Sequence, residues 1–249
     1  MKPFIYRGPG IITAIAALIA VSTGASAEPV NVPAGIDHAA YDRLLRKYVN
    51  DRGLVDYTSW KTNAADLEAL RDYTGRYAGD GTTATGQEKA ASLINAYNAL
   101  TLQWILENHP LKTIKETHRP WDAKRWHVGA RQVSLNEIEN DTLRPEFGYR
   151  VHAVLVCAAK SCPPLWNRAY TADELDAQLD DAMRRWLARP DLNRFDPSAK
   201  RVELSKIFSW YAQDFKGLPA ILAQYGPVKC HDCRISYRSY HWDLNERVP

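Results

Sequence analysis

Apolar and polar positions recur along this chain with two periods, and the helical one dominates. Tyr41, Leu44, Leu45, Tyr48 and Val49 return at three- and four-residue intervals, which predicts an amphipathic helix over residues 38–49. A second helix is expected over 64–77, with Leu67, Leu70 and Tyr73 inward, and "LVDYTSW" between the two reads as a short extended piece. "QEKAASLINAYNALTLQWILENHP" carries the strongest helical signal. From Leu93 to Leu106 apolar residues surround it on nearly every side, so it should be buried. Thr85 and Glu88 have the spacing of a capping box at its start, and Pro110 ends it.

The second half mixes both periods. "RWHVGARQVSL" predicts a hairpin turning at Gly129 and Ala130. Ser134 and Glu137 form another capping box, opening the helix "LNEIENDTLR". The apolar run 151–157 reads as a strand. Thr171 to Glu174 caps a long amphipathic helix that ends before Pro190. "VELSKIFSWYAQDF" is a strand running into a helix with Ser205 as cap, and "LPAILAQYG" is a short helix stopped by Gly226. Alternating aromatic residues in "RISYRSYHWDL" predict a closing strand. The resulting fold class is α+β: one helix-rich domain with a small, mainly antiparallel sheet.

The N-terminus changes the boundaries. Lys2 and Arg7 precede an apolar run from Ile11 to Val21, and Ala25-Ser26-Ala27 is a small-residue cleavage site, the layout of a secretory signal. The expected division is a cleavable signal over 1–27, a polar leader over 28–36 and one globular domain over 37–249. Such a protein is exported, periplasmic or secreted, with no stable membrane span after cleavage. The formal charge of +3 includes the two cations of the signal. There is no basic block, so nucleic acid is not an expected partner. No phosphate loop, dinucleotide fingerprint or zinc-protease motif appears, so no cofactor is implied.

Candidate chemistry gathers in "RVHAVLVCAAKSCPPLW". In a regular strand His152 and Cys157 point to opposite faces, whereas Cys162 sits in a loop fixed by Pro163 and Pro164. One reading makes Cys162 a nucleophile and His152 its base, with Asp214, Asn95 or Asn98 orienting the histidine in a thiol-dependent hydrolase or acyl-transfer enzyme. A second makes the same region a non-catalytic pocket in which Asn95, Tyr97 and Asn98 bind a small molecule, peptide or glycan. In that case Cys157–Cys162 is a disulfide and the asparagines can equally pin loop backbone. A third is a zinc or redox protein using these cysteines with Cys230 and Cys233 of "CHDC", although a local Cys230–Cys233 disulfide is the simpler expectation after export.

Several segments in order resemble the family of unknown function numbered 547: "VDYTSW", "INAYNALTLQWIL", "VSLNEIENDTLRPEF", "RVHAVLVCAAKSCPPL", "YTADELDAQLD", "VELSKIFSWYAQDF" and "SYHWDLN". The resemblance covers about residues 54–245. It departs from the family where His241 replaces the aspartate before Trp242. Cys230 and Cys233 fall outside the shared motifs, which implies a local structural bridge. A buried helix followed by a strand opening at His152 is also similar in layout to papain and transglutaminases, with Cys162 the available nucleophile.

Overall fold

The computed structural model describes residues 28–230 and 232–247, so the expected signal, residues 1–27, lies outside the described residues. Tyr41, Leu44, Leu45 and Tyr48 are buried along one face of α1 (Ala39–Tyr48), as their spacing requires. The piece read as extended is instead a short helix, α2 (Tyr57–Thr62). The Asp56 carboxylate accepts the Ser59 N–H as its N-cap, and Tyr57 and Trp60 are buried. Asn63 then caps α3 (Ala64–Gly75), which follows almost at once.

At the centre lies α4 (Gly86–Asn108), buried continuously from Ala90 to Leu102 and again at Ile105 and Leu106. Thr85 makes no side-chain cap bond here, contrary to the capping-box expectation. The Glu88 carboxylate accepts the Gly35 N–H at 2.7 Å instead. That bond belongs to a wider departure. The polar leader is part of the fold, because Val30 and Val32 are fully buried and Ala84 N–H donates to the Val32 carbonyl at 2.9 Å.

The hairpin forms as expected, β1 (Trp126–Val128) pairing antiparallel with β2 (Arg131–Val133). Its turn residue Gly129 has φ +61°, and a Cβ there would lie 2.6 Å from the Asn31 carbonyl oxygen. Ser134 and Glu137 complete a reciprocal capping box at α5 (Leu135–Ile138). The helix continues through a π turn over Glu139–Leu143 into α6 (Arg144–Phe147). The strand expected over 151–157 is absent: a 3-10 turn spans Tyr149–Ala153 and irregular chain follows.

The last third holds α7 (Leu175–Leu187), β3 (Arg194–Asp196), β4 (Arg201–Leu204), α8 (Ile207–Trp210), α9 (Leu218–Tyr225) and β5 (Arg234–Tyr237). The strands form one sheet in the order β3-β4-β5, antiparallel then parallel. The closing strand is shorter than its aromatic alternation suggests. Beyond Tyr237 the chain crosses back, and Leu244 and Asn245 bond to Lys112 and Ala158. No described helix is long and apolar enough to cross a membrane.

Candidate functional site

A cavity of about 310 Å³ opens between α4, the π-turn helix, the 3-10 turn with its following loop, α8 and the C-terminal crossing. Its wall is aromatic. Trp210, Tyr240 and Trp242 form a contiguous cluster with centroids 4.6–5.9 Å apart, and Trp121 extends it from Trp242 at 5.8 Å. Lys115 Nζ sits over the ring of Trp242, 3.4 Å from its centroid, and covers one of its faces. Trp210 is 47% exposed, so part of its indole faces solvent at the mouth of the cavity.

The polar groups lie deeper. Glu139 begins the π turn and is buried, with Tyr97 and Tyr211 beside it in the cavity lining. Burial raises its carboxyl above the usual range, partly offset by those two hydroxyls and the nearby Arg144 charge. π turns recur at functional positions, because the extra residue re-aims side chains on one helix face.

His152 projects into the same cavity from the 3-10 turn. Its Nε2 lies 2.7 Å from Asp214 Oδ2, and Arg144 Nε donates to the same oxygen at 2.7 Å. The imidazole is packed on Tyr211 and Phe215, with centroids at 4.3 and 5.2 Å. Burial lowers its pKa to about 4, outweighing the pull of Asp214. The ring is therefore neutral at pH 7, and Asp214 accepts an Nε2–H hydrogen bond more than it completes an ion pair. Burial also pushes the Asp214 carboxyl up. Hydrogen bonds from Arg144 and His152 and the Arg144 charge more than reverse this and hold it below the ordinary carboxylate range. The site thus keeps one carboxyl biased towards the acid and another firmly ionised.

The sequence-predicted residues divide. His152, Asp214 and Tyr97 do meet at or beside this cavity. Asn95 and Asn98 do not line it. Asn95 donates to the Tyr170 carbonyl and accepts the Tyr170 N–H, at 2.8 and 2.9 Å. Asn98 does the same for the Val154 carbonyl and Val156 N–H, at 2.8 and 2.9 Å. Both amides are spent on backbone, so the expected binding role gives way to a clamping one. Cys162 is joined to Cys157 in a disulfide, and no free cysteine remains among the described residues. The nucleophile expected at Cys162 is therefore not a thiol while that bond stands. Because the chain there is not a strand, Cys157 and His152 do not point apart but line one cavity. Cys230 and Cys233 pair with each other beside a different groove, so the four cysteines are not gathered as a zinc site would need.

Sequence reasoning missed Glu139, Arg144, Tyr211 and Tyr240. For Glu139 a signal exists. It stands four residues from both Leu135 and Leu143, which are buried, so the carboxylate lies on the helix's apolar face.

The fold and site define a helix-rich α+β protein with an aromatic-walled pocket floored by ionisable groups. Residues 82–187 match the family model described as "Protein of unknown function, DUF547". The matched segment supplies Tyr97, Glu139, His152 and both pocket cysteines, whereas Asp214 and most of the aromatic wall lie beyond it. No curated protein and no solved structure matches the chain. The strand on which the likeness to papain and transglutaminases rests is not formed.

Proposed function

We propose that this is an exported ligand-binding protein of the cell envelope whose pocket takes a neutral, ring-bearing organic group, a sugar unit of a glycan being the best fit. The observation that carries this reading is the pairing of the Trp210–Tyr240–Trp242 wall with Glu139 and His152 on the floor. A pyranose ring offers flat C–H faces to aromatic rings and hydroxyls at its edge. The wall supplies the first partner and the floor the second. The cavity lies at the small end of ligand sites, roughly 300–1,000 Å³, which suits one ring rather than a long peptide. Disulfide-paired cysteines fit an oxidising compartment. The thiol-hydrolase alternative lacks its nucleophile in this state.

The test is a tryptophan-fluorescence titration with cellobiose, maltose and chitobiose. Saturable quenching or a blue shift with at least one sugar is the expected result. Trp210→Ala should weaken it about tenfold or more, since one stacked ring contributes about 1–3 kcal/mol in comparable base–aromatic stacks. No response to any of the three, in a folded protein, contradicts the reading.

A further inference from the structure

The disulfide in the pocket wall has the surroundings of a reacting group more than of a staple. Cys157 and Cys162 are separated by 5 positions, and a cross-link over so short a loop restrains the unfolded chain less than a long one would. The loop is also held without it. Lys160 N–H donates to the Asp243 carbonyl at 2.7 Å, and Asn245 N–H donates to the Ala158 carbonyl at 2.9 Å. Ser161 N–H and the His241 carbonyl pair at 3.2 Å, and His241 N–H returns a bond to Ser161 Oγ at 2.9 Å. None of these bonds uses a sulfur atom.

The two sulfurs are not equivalent. Cys162 is buried, and its Sγ accepts the Cys157 N–H at 3.1 Å; Tyr240 Oη lies 3.1 Å from Cys162 Sγ and 3.3 Å from Cys157 Sγ. Cys157 is partly exposed and lines the cavity. An approaching group therefore meets the more exposed Cys157 first, while Cys162 alone accepts the backbone N–H and Tyr240 Oη lies slightly nearer to it. That is the asymmetry thiol–disulfide exchange requires: an accessible sulfur to attack and a stabilised sulfur to leave.

We propose that Cys157–Cys162 is a thiol–disulfide exchange centre that accepts a small thiol-bearing ligand in this pocket. The ligand thiol loses its proton to solvent, and its thiolate forms a bond to Cys157 Sγ as the Cys157–Cys162 bond breaks. The electron pair leaves on Cys162 Sγ, where the Cys157 N–H and the Tyr240 hydroxyl stabilise it. The product is a mixed disulfide at Cys157. A second ligand thiol attacks that mixed disulfide on the ligand sulfur and releases Cys157. Two thiols are thereby oxidised to one disulfide and the protein pair is reduced to two thiols. The inference shares the cavity with the ring-binding reading but does not depend on it.

The test uses the folded, oxidised full chain with reduced glutathione at pH 7.5, acid quenching and peptide mapping by mass. In the wild type the glutathione adduct should map to Cys157 and not to Cys162. With oxidised glutathione, Cys162→Ser should trap the adduct at Cys157 at least about tenfold faster than Cys157→Ser traps one at Cys162. Tyr240→Phe should slow reduction of the pair about tenfold, the loss expected for one hydrogen bond to a charged sulfur. The proposal is overturned if the pair resists glutathione until the protein is denatured, or if both cysteines form adducts at equal rates. Wild-type mapping decides the matter even where a variant misfolds. A protein that binds no sugar yet forms the Cys157 adduct refutes the ring reading alone.

Discussion

Glu139 and His152 are held in opposite ways by the same cavity, and each has a consequence for pH. Burial depresses His152 to about 4 in the folded state, below its ordinary 6.5. The unfolded chain therefore takes up a proton that the folded one refuses between those values, and this contribution to stability is lost as pH falls from about 6.5 through 4. The imidazole proton resonances of His152 should stay flat from pH 8 to 5.5 in an NMR titration, and a midpoint near 6.5 would refute the burial argument. Glu139 runs the other way. Its folded pKa is raised, so its contribution is present at low pH and lost as pH climbs past the unfolded value. Glu139→Gln should therefore gain melting temperature relative to the wild type as pH is raised from 5 to 8, measured by circular dichroism. A difference that stays constant with pH, or that shifts in the wild type's favour, would contradict the raised carboxyl pKa.

The elements owe their positions to a few side chains that act as backbone. Asn98 satisfies the Val154 carbonyl and the Val156 N–H, the groups a neighbouring strand would have paired. This is why the apolar run 151–157 is legible as buried but not as irregular. Val, Leu and Val give the same pattern in a strand and in a turn clamped by an amide, and the clamp comes from a helix 56 positions away. Asn98→Ala leaves both groups orphaned in the core and should cost about 2–4 kcal/mol by urea unfolding, each buried unpaired group costing about 1–3. A loss below about 1 kcal/mol would mean the loop finds other partners. Gly53 has φ +76°, and a Cβ there would sit 2.6 Å from the Leu165 backbone nitrogen, just after Pro163 and Pro164. Gly53→Ala should destabilise by about 1–3 kcal/mol, from left-handed backbone strain alone, and should displace the Cys162 loop. The long helices, the hairpin and the Ser134 cap were readable because their signals are local. The α2 helix was not, since its six residues are too few to show a period.

Across the whole molecule, the C-terminal crossing ties the first helices to the pocket. Asn245 donates from Nδ2 to the Gly53 carbonyl and accepts from the Tyr57 hydroxyl, while its N–H bonds the Ala158 carbonyl. Arg247 pairs with Asp56, the cap of α2. The same crossing supplies Tyr240 and Trp242 to the wall, so pocket and fold are completed together. Sequence patterning places the aromatic residues near the chain's end, but only the long-range bonds bring them opposite Glu139 and His152. The proposed function requires those rings to touch a ligand. The most direct measurement is saturation-transfer NMR with cellobiose, maltose and chitobiose, irradiating the protein's aromatic protons. Transfer to the ring C–H protons of at least one sugar is expected, abolished in Trp210→Ala at unchanged melting temperature. Absence of transfer to all three, or transfer that survives loss of Trp210, would contradict it.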